Sequence, residues 1–218
     1  REQRVDGPMA VRLRRADLGV LAGRAMQFVI AGILVVGLWE RNIAVVVNAV
    51  LALAITFLPA VLRRDWDVHL DTGLTLWLML AVLLHTVGML GFYVTVSWWD
   101  HVTHTLSATI VAGVGYATAR AVDEYTDAIY LQPRFLFVYI LLFTMAFGVL
   151  WEVLEYSVRF VTDFVGVEAV LIQFSVEDTI VDLIFDFVGA VLVALFGTPR
   201  LQSLVTSLTE RLDRAGAG

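Results

Sequence analysis

From Ile43 to Leu62 the chain runs for twenty residues without a charged side chain, and from Thr72 to Trp99 for twenty-eight. A helix rises about 1.5 Å per residue, so each run matches or exceeds the roughly 30 Å hydrocarbon core of a bilayer. A soluble core buries helix faces and has no need of such runs. Hydrophobic residues make up 59% of the 218 and charged ones 17%, against about 45–50% and 25% in soluble domains. The fold expected is therefore all-α, a polytopic integral membrane bundle of about six transmembrane helices in a single transmembrane domain, residues 1–218. The spans fall roughly at 18–39, 43–62, 73–97, 101–120, 135–156 and 178–197. The third lies in a stretch longer than the bilayer core, which implies tilt or protrusion. Residues Val158 to Ser175 are too short and too polar for a crossing and read as an interfacial loop or lid. Apolar Leu201, Leu204, Val205 and Leu208 suggest an amphipathic helix on the membrane surface over 201–213.

An even number of spans puts both termini on one side, and the arginines say which. The N-terminal tail, the 63–71 and 120–134 loops and the C-terminal tail hold twelve of the fifteen basic residues, whereas the opposite loops hold only Arg41 and Arg159. The positive-inside rule then makes both termini cytoplasmic, in a cell (plasma or inner) membrane. Arg24, near the inner end of the first span, can snorkel to the headgroups. Trp39, Trp98, Trp99 and Trp151 fall at outer ends, as an interfacial belt requires. Acidic residues exceed basic ones by 21 to 15, and every basic residue is arginine, a halophile-like composition. A net charge of −6 argues against nucleic acid as a partner. The lipid bilayer is the partner expected, with a homo-oligomer or a larger membrane complex left open.

Against this apolar background the ionisable groups cluster. Asp178, Asp182 and Asp186 recur every four residues, so a helix places them on one face, and Asp182 and Asp186 sit among Ile, Leu, Phe and Val. An ionised group in hydrocarbon is costly, and three on one stripe also repel one another. Something must offset that cost. By the expected topology three helix ends converge on the outer third of the membrane: Asp100-His101-Val102-Thr103-His104, Glu152 with Glu155, and Glu177-Asp178 leading to Asp182 and Asp186. His85 lies near mid-depth of the third span. Each has a bland explanation: interfacial histidines, a solvated helix end, first-turn acids that favour the helix dipole. Asp182 and Asp186, one and two turns deeper, resist it.

Imidazole with carboxylate and no sulfur, in a chain with no cysteine, suits Zn, Mn or Fe; carboxylates alone suit Mg or Ca. The expected ligands are His101, His104, Glu152, Glu155, Asp178 and Asp182, with His85, Asp100, Glu177 and Asp186 as a supporting polar network. The same inventory also suits a proton relay or a cation path, and spacing does not choose.

The motifs Trp99-Asp100-His101-Val102-Thr103-His104, Gly148-Val149-Leu150-Trp151-Glu152-Val153-Leu154-Glu155 and Glu177-Asp178-Thr179-Ile180-Val181-Asp182-Leu183, in that order, resemble the YjdF-like family of small polytopic membrane proteins. More distantly they are similar to the VanZ-like family, which has an Asp-x-x-x-His helix start, a later Glu and a final Asp-rich helix. The resemblance spans the third to sixth helices. It implies a six-helix-type membrane domain whose polar motifs cluster, and it supplies no reaction.

Three functions compete. The first is a metal-binding membrane protein, a hydrolase acting on a lipid-linked or envelope substrate at the outer leaflet. The second is a transporter or channel whose carboxylates carry protons or cations, which would need polar groups continuing inward; Asn48, Thr75 and Thr144 are few. The third is a non-catalytic subunit or assembly factor in which buried acids fix helix packing. No Gly-x-Ser-x-Gly elbow, phosphate loop or dinucleotide fingerprint is present.

Overall fold

The computed structural model of the chain describes residues 8–166, 169–171 and 175–216, and among these there is no β-strand. The first residues of the N-terminal tail and part of the segment between the fifth and sixth expected spans lie outside that set. The helices are α1 (Pro8–Glu40), α2 (Ile43–Thr56), α3 (Leu58–Asp65), α4 (Thr72–Val87), a one-turn α5 (Tyr93–Thr95), α6 (Trp99–Tyr125), α7 (Pro133–Val165), α8 (Val176–Leu192) and α9 (Gln202–Gly216). Among the described residues, five segments are long and apolar enough to cross a membrane: Asp17–Glu40, Ile43–Asp65, Thr72–Thr95, Pro133–Val165 and Val176–Gly197. Helix α6, which contains the expected fourth span, has 27 residues but is too rich in Thr, Ser, Gly and His to be counted with them.

The surface is what a bilayer requires. Phe28, Val35, Leu38, Leu51, Leu142, Leu150, Val153, Ile184 and Leu195 all stand exposed, which in water would be an aggregation liability. Helix α1 is apolar around its circumference; Ile30 and Ile33 pack inward with Ala44, Val45, Ala49, Ala52 and Met89, and the remaining sides face outward. A second core lies at the other end of the bundle, where Ala112, Tyr116, Leu136, Ile140 and Val193 meet Leu201, Leu204 and Val205.

Three local departures from the expected spans have identifiable causes. The second bends at Phe57, which ends α2 and precedes Pro59 in the first turn of α3, where proline's missing N–H costs nothing. The third is kinked rather than merely tilted: a wide π-type turn, Gly88–Phe92, follows α4, and Gly91 takes φ 102°, open to glycine alone at little strain. Gly88 permits the next step, because a Cβ there would overlap the ring of Tyr93. The fifth does not end near Tyr156. Helix α7 continues through Val158 to Val165 and stops at Gly166, left-handed at φ 75°, so that much of the expected loop is helix capped by a glycine.

Helix α9 puts its apolar residues to a use other than the membrane surface. Leu204 and Val205 are buried against the bundle end. Its polar side meets the 66–71 loop: Arg214 pairs with Asp67 at 2.9 Å, Ser203 Oγ donates to Asp71 at 3.0 Å, and the His69 N–H donates to Ser207 Oγ at 2.8 Å.

Candidate functional site

Helix α6 starts at Trp99, so Asp100 sits in its first turn, where an acid complements the helix dipole. His104 is one turn on, and its Nε2 lies 3.7 Å from Asp100 Oδ1. Helix α8 is capped by Ser175, whose hydroxyl accepts from the Asp178 N–H at 3.1 Å. Asp182 and Asp186 follow one and two turns later on the face toward α6. Small residues let the two helices approach: a Cβ on Gly189 would overlap the Thr105 carbonyl and Ala108. Helix α7 comes as close, since a Cβ on Gly148 would overlap the Asp186 carboxylate.

The result is one imidazole among three acids. His104 Nε2 faces Asp100 and, at 4.0 Å, Asp182 Oδ2; His104 Nδ1 lies 3.3 Å from Asp186 Oδ1. One ligand atom each from Asp100, His104 and Asp182 fall within 4.8 Å of one another. Asp182 is 2% exposed, and its Oδ1 has no hydrogen-bond partner among the described residues, as is also true of Glu152 Oε1. His104 is the sole basic partner of these three aspartates in the ion pairs among the described residues. One imidazole cannot balance two buried carboxylates and a third that is half-buried, and a buried charge left uncompensated costs several kcal/mol. The cluster calls for a cation or shared protons.

The other expected residues divide. Glu155 is buried on the wall of a cavity of about 470 Å³ that also receives Asp100, His104 and Asp186. Glu152 lies on a separate crevice with Val149, Tyr156 and Leu183, accepting from Thr179 Oγ1 at 2.8 Å. His101 stacks on Phe185, ring centroids 4.3 Å apart and 6° from parallel, and is not among the side chains whose ligand atoms converge with those of His104. Asp178 is half-buried at the start of α8, and Glu177 is exposed beside it. Asp100, expected only in support, belongs to the central trio.

His85 is held on both ring nitrogens. Asn48 Nδ2 donates to the carbonyls of Ala44 at 2.9 Å and Val170 at 2.7 Å, so its Oδ1 is the acceptor facing His85 Nε2 at 3.0 Å. Nε2 therefore carries the proton, and Nδ1 accepts from Tyr93 O–H at 2.8 Å. A neutral imidazole with both nitrogens engaged has no lone pair left for a metal. Asn48 and Tyr93 are the residues that sequence reasoning left outside the site. The signal for Asn48 was present, as the one amide in a charge-free span. That for Tyr93 was not, because the kink at Gly91 folds it back.

The family model described as a predicted membrane protein (DUF2238) matches residues 22–203. A relative from Thermotoga maritima, named only as an uncharacterized protein, is 28% identical over 141 residues, 63% of this chain and 68% of its own length. No solved structure matches. The expected YjdF-like resemblance is consistent with these matches and the VanZ-like one finds no support in them. With the family model covering most of its length, this chain belongs to the DUF2238 family of predicted membrane proteins.

Proposed function

We propose that Asp100, His104 and Asp182 bind one divalent metal ion, and that the protein is a metal-dependent hydrolase acting on a lipid or envelope substrate. One observation carries the metal: His104 Nε2 faces two carboxylates while its Nδ1 faces a third. Metal-ligating histidines commonly donate their second N–H to a carboxylate, which fixes ring and tautomer; Asp186 is placed for that role. The donor set, one imidazole and two carboxylates without sulfur, suits Zn, Mn or Fe, and a metal held by so few protein ligands keeps positions for water and can lower its pKa toward neutral. Asp182 and Asp100 neutralise the ion, Asp186 holds the imidazole, and Glu155 is the carboxylate left on the cavity wall to accept a proton from attacking water.

Placed in a bilayer by its arginines, the site lies toward the outer leaflet and both termini toward the cytoplasm, in a plasma or inner membrane. Helix α6 then makes the sixth crossing, its polar residues shielded by α4, α7, α8 and α9, against which it packs. A conducting path is disfavoured by the other end of the bundle. There Ala112, Leu136, Ile140, Val193 and Val205 form an apolar plug covered by α9.

The test is elemental analysis of the purified protein, wild type beside His104→Ala and Asp182→Ala. One equivalent of a transition metal in the wild type, absent from both variants, is expected. Chelation should lower the melting temperature, since a ligand at a hundred times its Kd contributes about 2.7 kcal/mol. A metal-free wild type indifferent to EDTA overturns the proposal.

A further inference from the structure

The cavity beside His104 is graded from polar to apolar in the same sense on four helices. On α2 the lining runs from Asn48 to Leu51, Ala52 and Ile55; on α4 from His85 to Val82, Ala81 and Leu78. On α6 it runs from Asp100 and His104 to Ala108, Ile110 and Val111, and on α7 from Glu155 and Trp151 to Phe147. Neighbours in this set alternate in direction, so the polar ends coincide at one end of the cavity and the apolar ends at the other. Helix α2 packs on α1 and α4, and α7 on α6 and α8, with no extensive contact between α2 and α7. Leu51, Ile55 and Phe147 line the cavity and are also exposed on the outer surface of the bundle, so the gap opens sideways, to where acyl chains lie.

We propose that the cavity binds one bilayer lipid through a single hydrocarbon chain, entering between α2 and α7, with the headgroup at the Asp100–His104–Asp186 cluster. The volume suits it: ligand cavities run from about 300 to 1,000 Å³ and are mostly apolar with a few convergent polar groups. The gradient matches a lipid standing in one leaflet, headgroup level with the aspartates and chain toward the bilayer centre. Thr144, one turn beyond Phe147's end of the α7 lining, does not interrupt the gradient: the residue is 1% exposed and its hydroxyl presents no surface to the cavity. This assignment rests on the hydrolase reading for its significance, because it makes the lipid the substrate class, but binding stands or falls separately.

The experiment uses the full chain in nanodiscs with a spin-labelled single-chain phospholipid, a doxyl-stearoyl lysophospholipid, read by electron paramagnetic resonance, with metal content measured on the same samples. The wild type should show one strongly immobilised probe per protein, distinct from lipid at the outer surface. Ile55→Trp, at the mouth and partly exposed, and Ala52→Phe, within the cavity, should each cut that component at least tenfold while leaving metal content unchanged. An immobilised component with no metal supports the cavity and removes the metal reading. Bound metal with no immobilised component, or with one that Ile55→Trp and Ala52→Phe leave intact, overturns the lipid site.

Discussion

Asp186 Oδ1 lies 3.3 Å from Nδ1 of His104, while the ring's other nitrogen faces Asp100 and Asp182. This geometry gives the two aspartates of α8 different tasks although they stand on one stripe. Asp182 presents an oxygen to the space in front of Nε2; Asp186 presents one to Nδ1, on the opposite edge of the ring.

Replacing Asp186 should therefore weaken a metal site without removing it. Asp186→Ala should lower affinity about 10–100-fold, the usual consequence of losing a carboxylate that orients a ligating histidine. His104→Ala should abolish binding. Titration of metal-stripped protein with Zn or Mn by calorimetry distinguishes the two, and equal affinities for wild type and Asp186→Ala would remove Asp186 from the site.

The opposite result is expected at His101. Its ring stacks on Phe185 and supplies no atom to the Asp100–His104–Asp182 group, so His101→Ala should leave metal affinity within about twofold. It should still cost about 0.5–1.5 kcal/mol of stability, the range for an aromatic pair beyond its buried area. Thermal unfolding beside the metal titration checks both. A loss of affinity like that of His104→Ala would restore the His-x-x-His pair.

His101 also marks where the sequence stops being informative. Length and charge place the five apolar crossings, and the four-residue spacing of Asp182 and Asp186 forces them onto one buried face whatever their neighbours. His101 and His104 are three apart on a helix, and spacing alone permits both to share a face. Which of them turns inward depends on how α6 is rotated against α8, and that rotation is set by Gly189 against Thr105 and Ala108. Pattern does not record such contacts. The kink at Gly91 was hidden for a similar reason: glycine in an apolar run tolerates both a straight helix and a turn, and tertiary packing decides. The full length of α7 is hidden because Arg159 and Asp163 end the hydrophobic run, whereas one turn apart on a helix they pair with each other and let it continue to Gly166.

Gly148 should tolerate no side chain while Asp186 is present. An alanine Cβ there overlaps the carboxylate and crowds Leu183, so α7 must shift or Asp186 must turn away from His104. Overpacking of this kind costs about 1–3 kcal/mol. Because the clash is with one side chain, Gly148→Ala combined with Asp186→Ala should be less destabilising than the sum of the two changes. Chemical denaturation in a mild detergent measures the cycle; strict additivity would mean that the backbone, not Asp186, absorbs the strain.

The chain Tyr93–His85–Asn48 should behave as one unit. Tyr93 donates to His85, His85 donates to Asn48, and Asn48 donates to the carbonyls of Ala44 and Val170. Removing either end unpairs one nitrogen of His85 and frees the ring from its two-sided hold, so the remaining bond is weakened and the second removal costs less than the first. Asn48→Ala and Tyr93→Phe should thus each destabilise, with a coupling of about 0.6 kcal/mol and at most about 1.7, the average and the maximum for hydrogen bonds between membrane helices. Neither change touches Asp100, His104 or Asp182, so metal affinity should hold within about threefold. A double-mutant cycle with parallel metal titration tests both parts. Zero coupling would mean that the two bonds are independent, and loss of metal in Asn48→Ala would mean that His85 helps to position the ligands.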